Sequence, residues 1–130
     1  MLVMGILNTT PDSFADGGQH FTYPDAVNHG LQLIAEGADI IDIGGESTRP
    51  GAERVSPAEE ERRVINVITK LADAGKPISI DTMRASTARA AVVAGASIIN
   101  DVSGGLADKS MLDTAAELKV PYIAMHWRGH

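Results

Sequence analysis

The chain has 130 residues, 44% of them hydrophobic, which suffices for one modest core and argues against intrinsic disorder. A formal net charge of -6 does not fit a nucleic-acid footprint, so small molecules are the expected partners. The absence of cysteine excludes disulfides and thiolate metal sites, and no apolar run approaches the roughly 18 residues that a membrane span needs; a soluble, cytoplasmic protein is expected.

The first apolar run, residues 2–7, reads as a buried strand and gives way to NTTPDSFADGG at 8–18. A turn needs two or three Gly, Pro, Asn or Asp residues, whereas nine of these eleven positions are polar or turn-forming. Residues 24–36 then predict a helix with Val27, Leu31, Ile34 and Ala35 on one face. After a strand at 38–43 comes the clearest helix, 57–74, with a capping-box pattern at Ser56 and Glu59, Pro57 in its first turn and Gly75 just past its end. Val64, Val67, Ile68 and Leu71 form its buried face. Strands at 77–80, 96–99 and 120–125 alternate with weaker helices at 86–94 and 109–118, a pattern that implies parallel βα units.

EGADIIDIGG at 36–45 is echoed by AGASIINDVSGG at 94–105, with Gly37 and Gly95 standing 58 residues apart. Two βα units fit that interval. In each copy a Gly ends a helix, two isoleucines cross the core and a polar residue emerges at the far end. Asn8, Asp42, Asp81, Asn100 and His126 each fall at or near the C-terminal end of a different strand, where parallel α/β folds bind ligands. Polar ends on every strand suit a closed barrel, whereas five strands in 130 residues would also fit an open, flavodoxin-like sheet. The chain stops at MHWRGH directly after a strand, without a covering helix, which favours a barrel fragment. The expected fold class is therefore α/β, a (β/α)8 TIM barrel of which residues 1–130, read as a single domain, cover about the first five strands and four helices.

MGILNTTPDSFADGG (4–18), DIGGESTRPGA (42–52), SIDTMR (79–84), INDVSGG (99–105) and MHWR (125–128) together resemble the dihydropteroate synthase family of pterin-binding enzymes, in an actinobacterial style. The resemblance covers the whole chain and implies a (β/α)8 barrel. It also implies condensation of a dihydropterin methyl diphosphate with p-aminobenzoate, giving dihydropteroate and diphosphate for folate synthesis, inhibition by sulfonamides, and a homodimer when complete. The family's later strands, with their Asp-Pro-Gly, Ser-Arg-Lys and final Arg/His segments, have no counterpart here. These 130 residues alone are accordingly expected to bind pterin weakly at most and not to turn over.

Carried over residue by residue, the resemblance implies that Asn8 is a ligand of Mg²⁺ beside the diphosphate, with Asp12 assisting from the first loop; by position alone, each is an ordinary turn residue. Asp81 and Asn100 match the pterin site, with Asp42 second to them, although both would otherwise read as helix caps. Met125 resembles an apolar wall of that pocket or, more blandly, core. Thr48 matches a hydroxyl on the diphosphate, and Arg49 beside it is suited to stabilise negative charge or is merely a solvated surface residue. Phe14 and Pro50 match positions that enclose p-aminobenzoate. His126 acquires no role. A methyltetrahydrofolate methyltransferase domain would share the Asp81 and Asn100 chemistry without a diphosphate loop, and a non-catalytic pterin-binding fragment is the alternative of a different class.

Overall fold

The structure is a computed structural model that describes residues 1–9, 23–46, 55–101, 103 and 107–124. Five strands alternate with four helices: β1 (Met4–Asn8), α1 (Tyr23–Ala35), β2 (Ile40–Gly44), α2 (Pro57–Ala72), β3 (Ile78–Asp81), α3 (Ala85–Ala94), β4 (Ile98–Asp101), α4 (Met111–Leu118) and β5 (Tyr122–Ala124). All ladders are parallel, and the strands lie side by side in chain order, β1-β2-β3-β4-β5. A flavodoxin-like sheet would reverse its strand order at a switch point. This unbroken winding is the first part of a (β/α)8 barrel instead. Among the described residues no helix is long and apolar enough to cross a membrane.

Alternation along each strand divides the sheet into two faces. Leu7, Ile41, Ile43, Ile78, Ile80 and Ile99 point to the helices and pack with Val64, Val67, Ile68, Leu71, Ala88, Ala91, Met111 and Ala115 in one core. The opposite face would line the barrel interior. On it Met4, Ile6 and Ile123 remain 37%, 51% and 38% exposed.

The first four strands end one or two residues later than their apolar runs predict, whereas β5, Tyr122–Ala124, falls inside the predicted 120–125. The terminal polar residues Asn8, Asp81, Asn100 and Asp101 still belong to the ladders, so an apolar run ends before the strand does. The α1 face also differs from expectation: Leu31 and Ala35 are exposed, whereas Ala26 and Gly30 are buried. Gly30 marks a close approach of α1 to α2, because a Cβ there would lie 2.5 Å from Leu71 Cδ1. Counting apolar side chains misses a contact made by a residue that has none.

Helix α2 starts as the sequence implies, with Pro57 in the first turn and Ser56 Oγ accepting from Glu59 N–H at 3.1 Å. Only half of the capping box forms, because the Glu59 carboxylate turns to Arg62 and Arg63. Glu60, one residue on, is 1% exposed and accepts from Thr82 Oγ1 and Thr87 Oγ1, each at 2.7 Å, and from Arg84 Nη1 at 3.0 Å. A buried carboxylate is tolerated when its lone pairs are filled in this way. It joins α2 to the end of β3 and the start of α3.

The two glycines of the sequence echo both have positive φ, +109° at Gly37 and +134° at Gly95, but differ in surroundings. Nothing lies within 4 Å of a Cβ at Gly37, whereas one at Gly95 would come within 2.8 Å of Ala72 Cβ. Both Gly→Ala variants are expected to lose stability through backbone strain. Gly95→Ala should lose about 1–3 kcal/mol more through overpacking, as measured by urea unfolding of the two variants side by side.

Candidate functional site

The paired registers place two rows of side chains across the inner face. The upper row runs Asn8, Gly44, Asp81, Asn100, Ile123 from β1 to β5, and the row beneath it runs Ile6, Asp42, Ser79, Ile98 from β1 to β4. Four strands thus bring Asn8, Asp42, Asp81 and Asn100 to one end of one face. Gly44 keeps the upper row open, since a Cβ there would meet Asp81 Cβ at 3.3 Å. Asp12, Phe14, Thr48, Arg49, Pro50, Met125 and His126 lie outside the described residues.

Asn100 Nδ2 donates to Asp42 Oδ1 at 3.3 Å. These positions stand 58 residues apart, the interval of the sequence echo, so the polar residues of the two repeated units meet at the site. Among the described residues the other half of the Asn100 amide is unused, its Oδ1 being buried without a hydrogen-bond partner, and Ser79 Oγ, which lies against Asp42, makes no bond of good geometry. Buried polar atoms are nearly always paired, and leaving one unmade costs roughly 1–3 kcal/mol. Their clustering on one face, beside two carboxylates, marks a surface shaped for hydrogen bonds to something else.

Burial pushes the Asp42 carboxyl up from its ordinary value. Asp81 is pushed to about 7, first by burial and then by the charges of Asp42, Glu60 and Asp101. The last two are structural. Glu60 is held as described, and the fully buried Asp101 accepts from Ser103 N–H at 2.9 Å, Ser103 Oγ at 2.6 Å and Tyr122 Oη at 3.0 Å. Burial and that bond to Asp101 in turn raise the Tyr122 phenol to about 12. Asp42 receives only the long Asn100 bond and contact with Ser79, and among the described residues no donor is seen on Asp81, so the two carboxyls form an acidic surface suited to a ligand edge rich in N–H donors.

Sequence reasoning did not single out Ser79, although ISID at 78–81 carries the signal: Ser79 and Asp81 alternate with Ile78 and Ile80 and must share a face. For a metal, Asn8 offers one exposed amide at the end of β1. The described residues contain no group of three or more His, Cys, Asp or Glu that could hold an ion. An ion that keeps its waters and arrives on phosphate oxygens, such as Mg²⁺, would need only one or two protein ligands, of which Asn8 could supply one.

The folded protein holds the Asp81 proton up to about pH 7, whereas the unfolded chain releases it near 3.8. Stability conferred by the neutral form is therefore lost as pH rises through that window, and the penalty is complete above it. Asp81→Asn cannot ionise and is expected to melt above the parent protein at pH 8, with the advantage gone at about pH 4. Thermal melts across that range test this, and coincident curves at pH 8 would contradict it.

Residues 4–130 match the family described as "Pterin binding enzyme". Over 128 residues the chain is 57% identical to a dihydropteroate synthase of Bacillus subtilis, covering 98% of this chain and 45% of that protein. It superposes on a dihydropteroate synthase of Xanthomonas albilineans solved with 4-aminobenzoic acid, with a TM-score of 0.90 and 55% identity over 98% of this chain and 47% of the other. A Yersinia pestis dihydropteroate synthase in complex with a sulfonamide drug gives 0.88 and 44% over 99% and 47%. The chain thus spans about half the length of the relatives it matches. With nearly every residue inside the family match and donor-seeking carboxylates gathered at its strand ends, the chain belongs to the pterin-binding enzymes.

Proposed function

We propose that these residues supply the pterin side of a dihydropteroate synthase. The observation that carries this reading is the buried trio Asp42, Ser79 and Asn100 beside the half-buried Asp81, with two of their polar atoms unpaired among the described residues. A pterin presents an N–H and an adjacent amino group on one edge, which a carboxylate receives as a bidentate pair, and Asp81 is suited to that role. Asn100 adds an acceptor through Oδ1, while its Nδ2 and Asp42 orient one another.

In the reaction, the bond between the pterin methylene and the diphosphate oxygen breaks, and its electron pair leaves with diphosphate. The p-aminobenzoate nitrogen forms the new bond to that methylene and gives up a proton. No nucleophilic side chain is needed; the task is to hold the pterin and to accommodate charge on the departing group. Mg²⁺, held by Asn8 with Asp12 assisting, would offset diphosphate charge when bound. Thr48 contacts the diphosphate and Arg49 stabilises its charge, while Phe14, Pro50 and Met125 supply apolar contacts to p-aminobenzoate and the pterin. The whole protein would be a cytoplasmic homodimer inhibited by sulfonamides, a reading supported by the relative of Yersinia pestis solved in complex with a sulfonamide drug.

The deciding experiment is Mg²⁺-dependent release of diphosphate with formation of dihydropteroate, by a chain of full family length carrying these residues. Absence of both products would refute the proposal. In calorimetry with a pterin lacking the diphosphate, affinity should be flat above pH 7 and fall about tenfold per unit below it, because the ligand requires ionised Asp81. Asp81→Asn should weaken that binding by roughly 1.5–3 kcal/mol, the range for hydrogen bonds to a charged group. Asn8→Ala should weaken Mg²⁺-dependent binding of the pterin diphosphate and spare the pterin alone; equal losses for both ligands would remove Asn8 from the metal.

A further inference from the structure

The connection from β2 to α2 carries Thr48, Arg49 and Pro50, and its two ends are tied by residues that come later in the chain. At the near end, Arg63 Nη1 of α2 donates to Gly45 O at 3.0 Å. Glu46 follows, and its Oε2 accepts from Val55 N–H at 2.6 Å, joining the near end to the far one. The Arg84 guanidinium lies against both: Nη2 donates to Val55 O and forms an ion pair with Glu46 Oε2 at 3.5 Å. Its other arm, Nη1, is fixed on Glu60 at 3.0 Å.

We propose that Arg84 is a positioning residue that clamps Glu46 and Val55, which flank residues 47–54, to the buried Glu60 carboxylate, and so fixes where the connection leaves the end of β2 and where it enters α2. Arg84 follows Asp81 by three residues, and its own N–H donates to Thr82 Oγ1 at 3.2 Å, which in turn donates to Glu60. The pterin strand and the connection are thereby referred to one fixed charge. A planar guanidinium with several donors makes three such contacts at once; a lysine ammonium reaches Glu60 or the segment ends, but does not span them. Glu46 has a 6% exposed side chain and Glu60 a 1% exposed one, so the clamp works largely out of water, where charged hydrogen bonds hold geometry best.

Trypsin reads the clamp directly, because cleavage of the Arg54–Val55 bond requires Val55 to leave both partners. In Arg84→Lys, which keeps a cation for Glu60, and in Glu46→Ala, which leaves the Glu60 cluster intact, nicking there should rise roughly tenfold. Cleavage after Lys70, inside α2, should stay at the parent's rate. Unchanged nicking at Arg54 in both variants, or an equal rise after Lys70, would overturn the proposal. The catalytic consequence rests on the dihydropteroate synthase reading: in a chain of full family length, Arg84→Lys should raise KM for p-aminobenzoate severalfold while the affinity for a pterin lacking the diphosphate stays at the parent's value. A loss confined to pterin affinity would also overturn the proposal. A parent protein without synthase activity would remove the reading above, and the tryptic comparison would still decide the role of Arg84.

Discussion

The two-residue period of the β-strand governs everything else in this chain. Because the helices cover one face of the sheet, every strand must send alternate side chains into that cover and the others inward. Site residues can then occur only at positions out of phase with the core, and they do: Asp42 and Gly44 interleave with Ile41 and Ile43, and Ser79 and Asp81 with Ile78 and Ile80. In parallel ladders the registers carry that phase from strand to strand without slippage. A one-residue slip of β3 would bury Asp81 among the helices and turn Ile80 inward.

The carboxylates at this end of the sheet fall into two kinds. Glu60 and Asp101 are buried but saturated with donors, and they lock helices and loops to strand ends. Asp42 is buried and Asp81 half-buried, both have few donors among the described residues, and the loss of water raises both. The saturated pair aggravates the other: the charges on Glu60 and Asp101 are among the reasons Asp81 is so reluctant to ionise. Scaffold and site share one electrostatic field, in which the scaffold charges add to the larger effects of burial and of Asp42 on Asp81.

Much of this was readable in the residues. The alternation of apolar runs with helical patterns gives the nine elements of the described residues, and the abrupt arrival of Asn8, Asp81 and Asn100 after such runs locates the strand ends. The 58-residue echo marks Asp42 and Asn100 as equivalent, although their direct hydrogen bond is a fact of the fold. What could not be read depends on distance along the chain. Glu60 sits in a run of three glutamates that looks like a solvated face, and its partners Thr82, Arg84 and Thr87 lie more than twenty residues downstream. Gly30 was overlooked for the opposite reason, since its contribution is the side chain it lacks.

The consecutive order of the strands has a further consequence, for assembly. Among the described strands each ladder joins a strand to the one made immediately before it, so none of these pairings has to wait for a distant segment of the chain. Parallel sheets are ordinarily slow to form because their contacts are non-local. Here loop closure spans only one helix at a time, and a chain emerging from the ribosome can lay each βα unit on an edge already in place. Order of synthesis then becomes order of dependence: β1 is the template on which the register of every later strand, and with it the alignment of Asn8, Asp81 and Asn100, is successively copied.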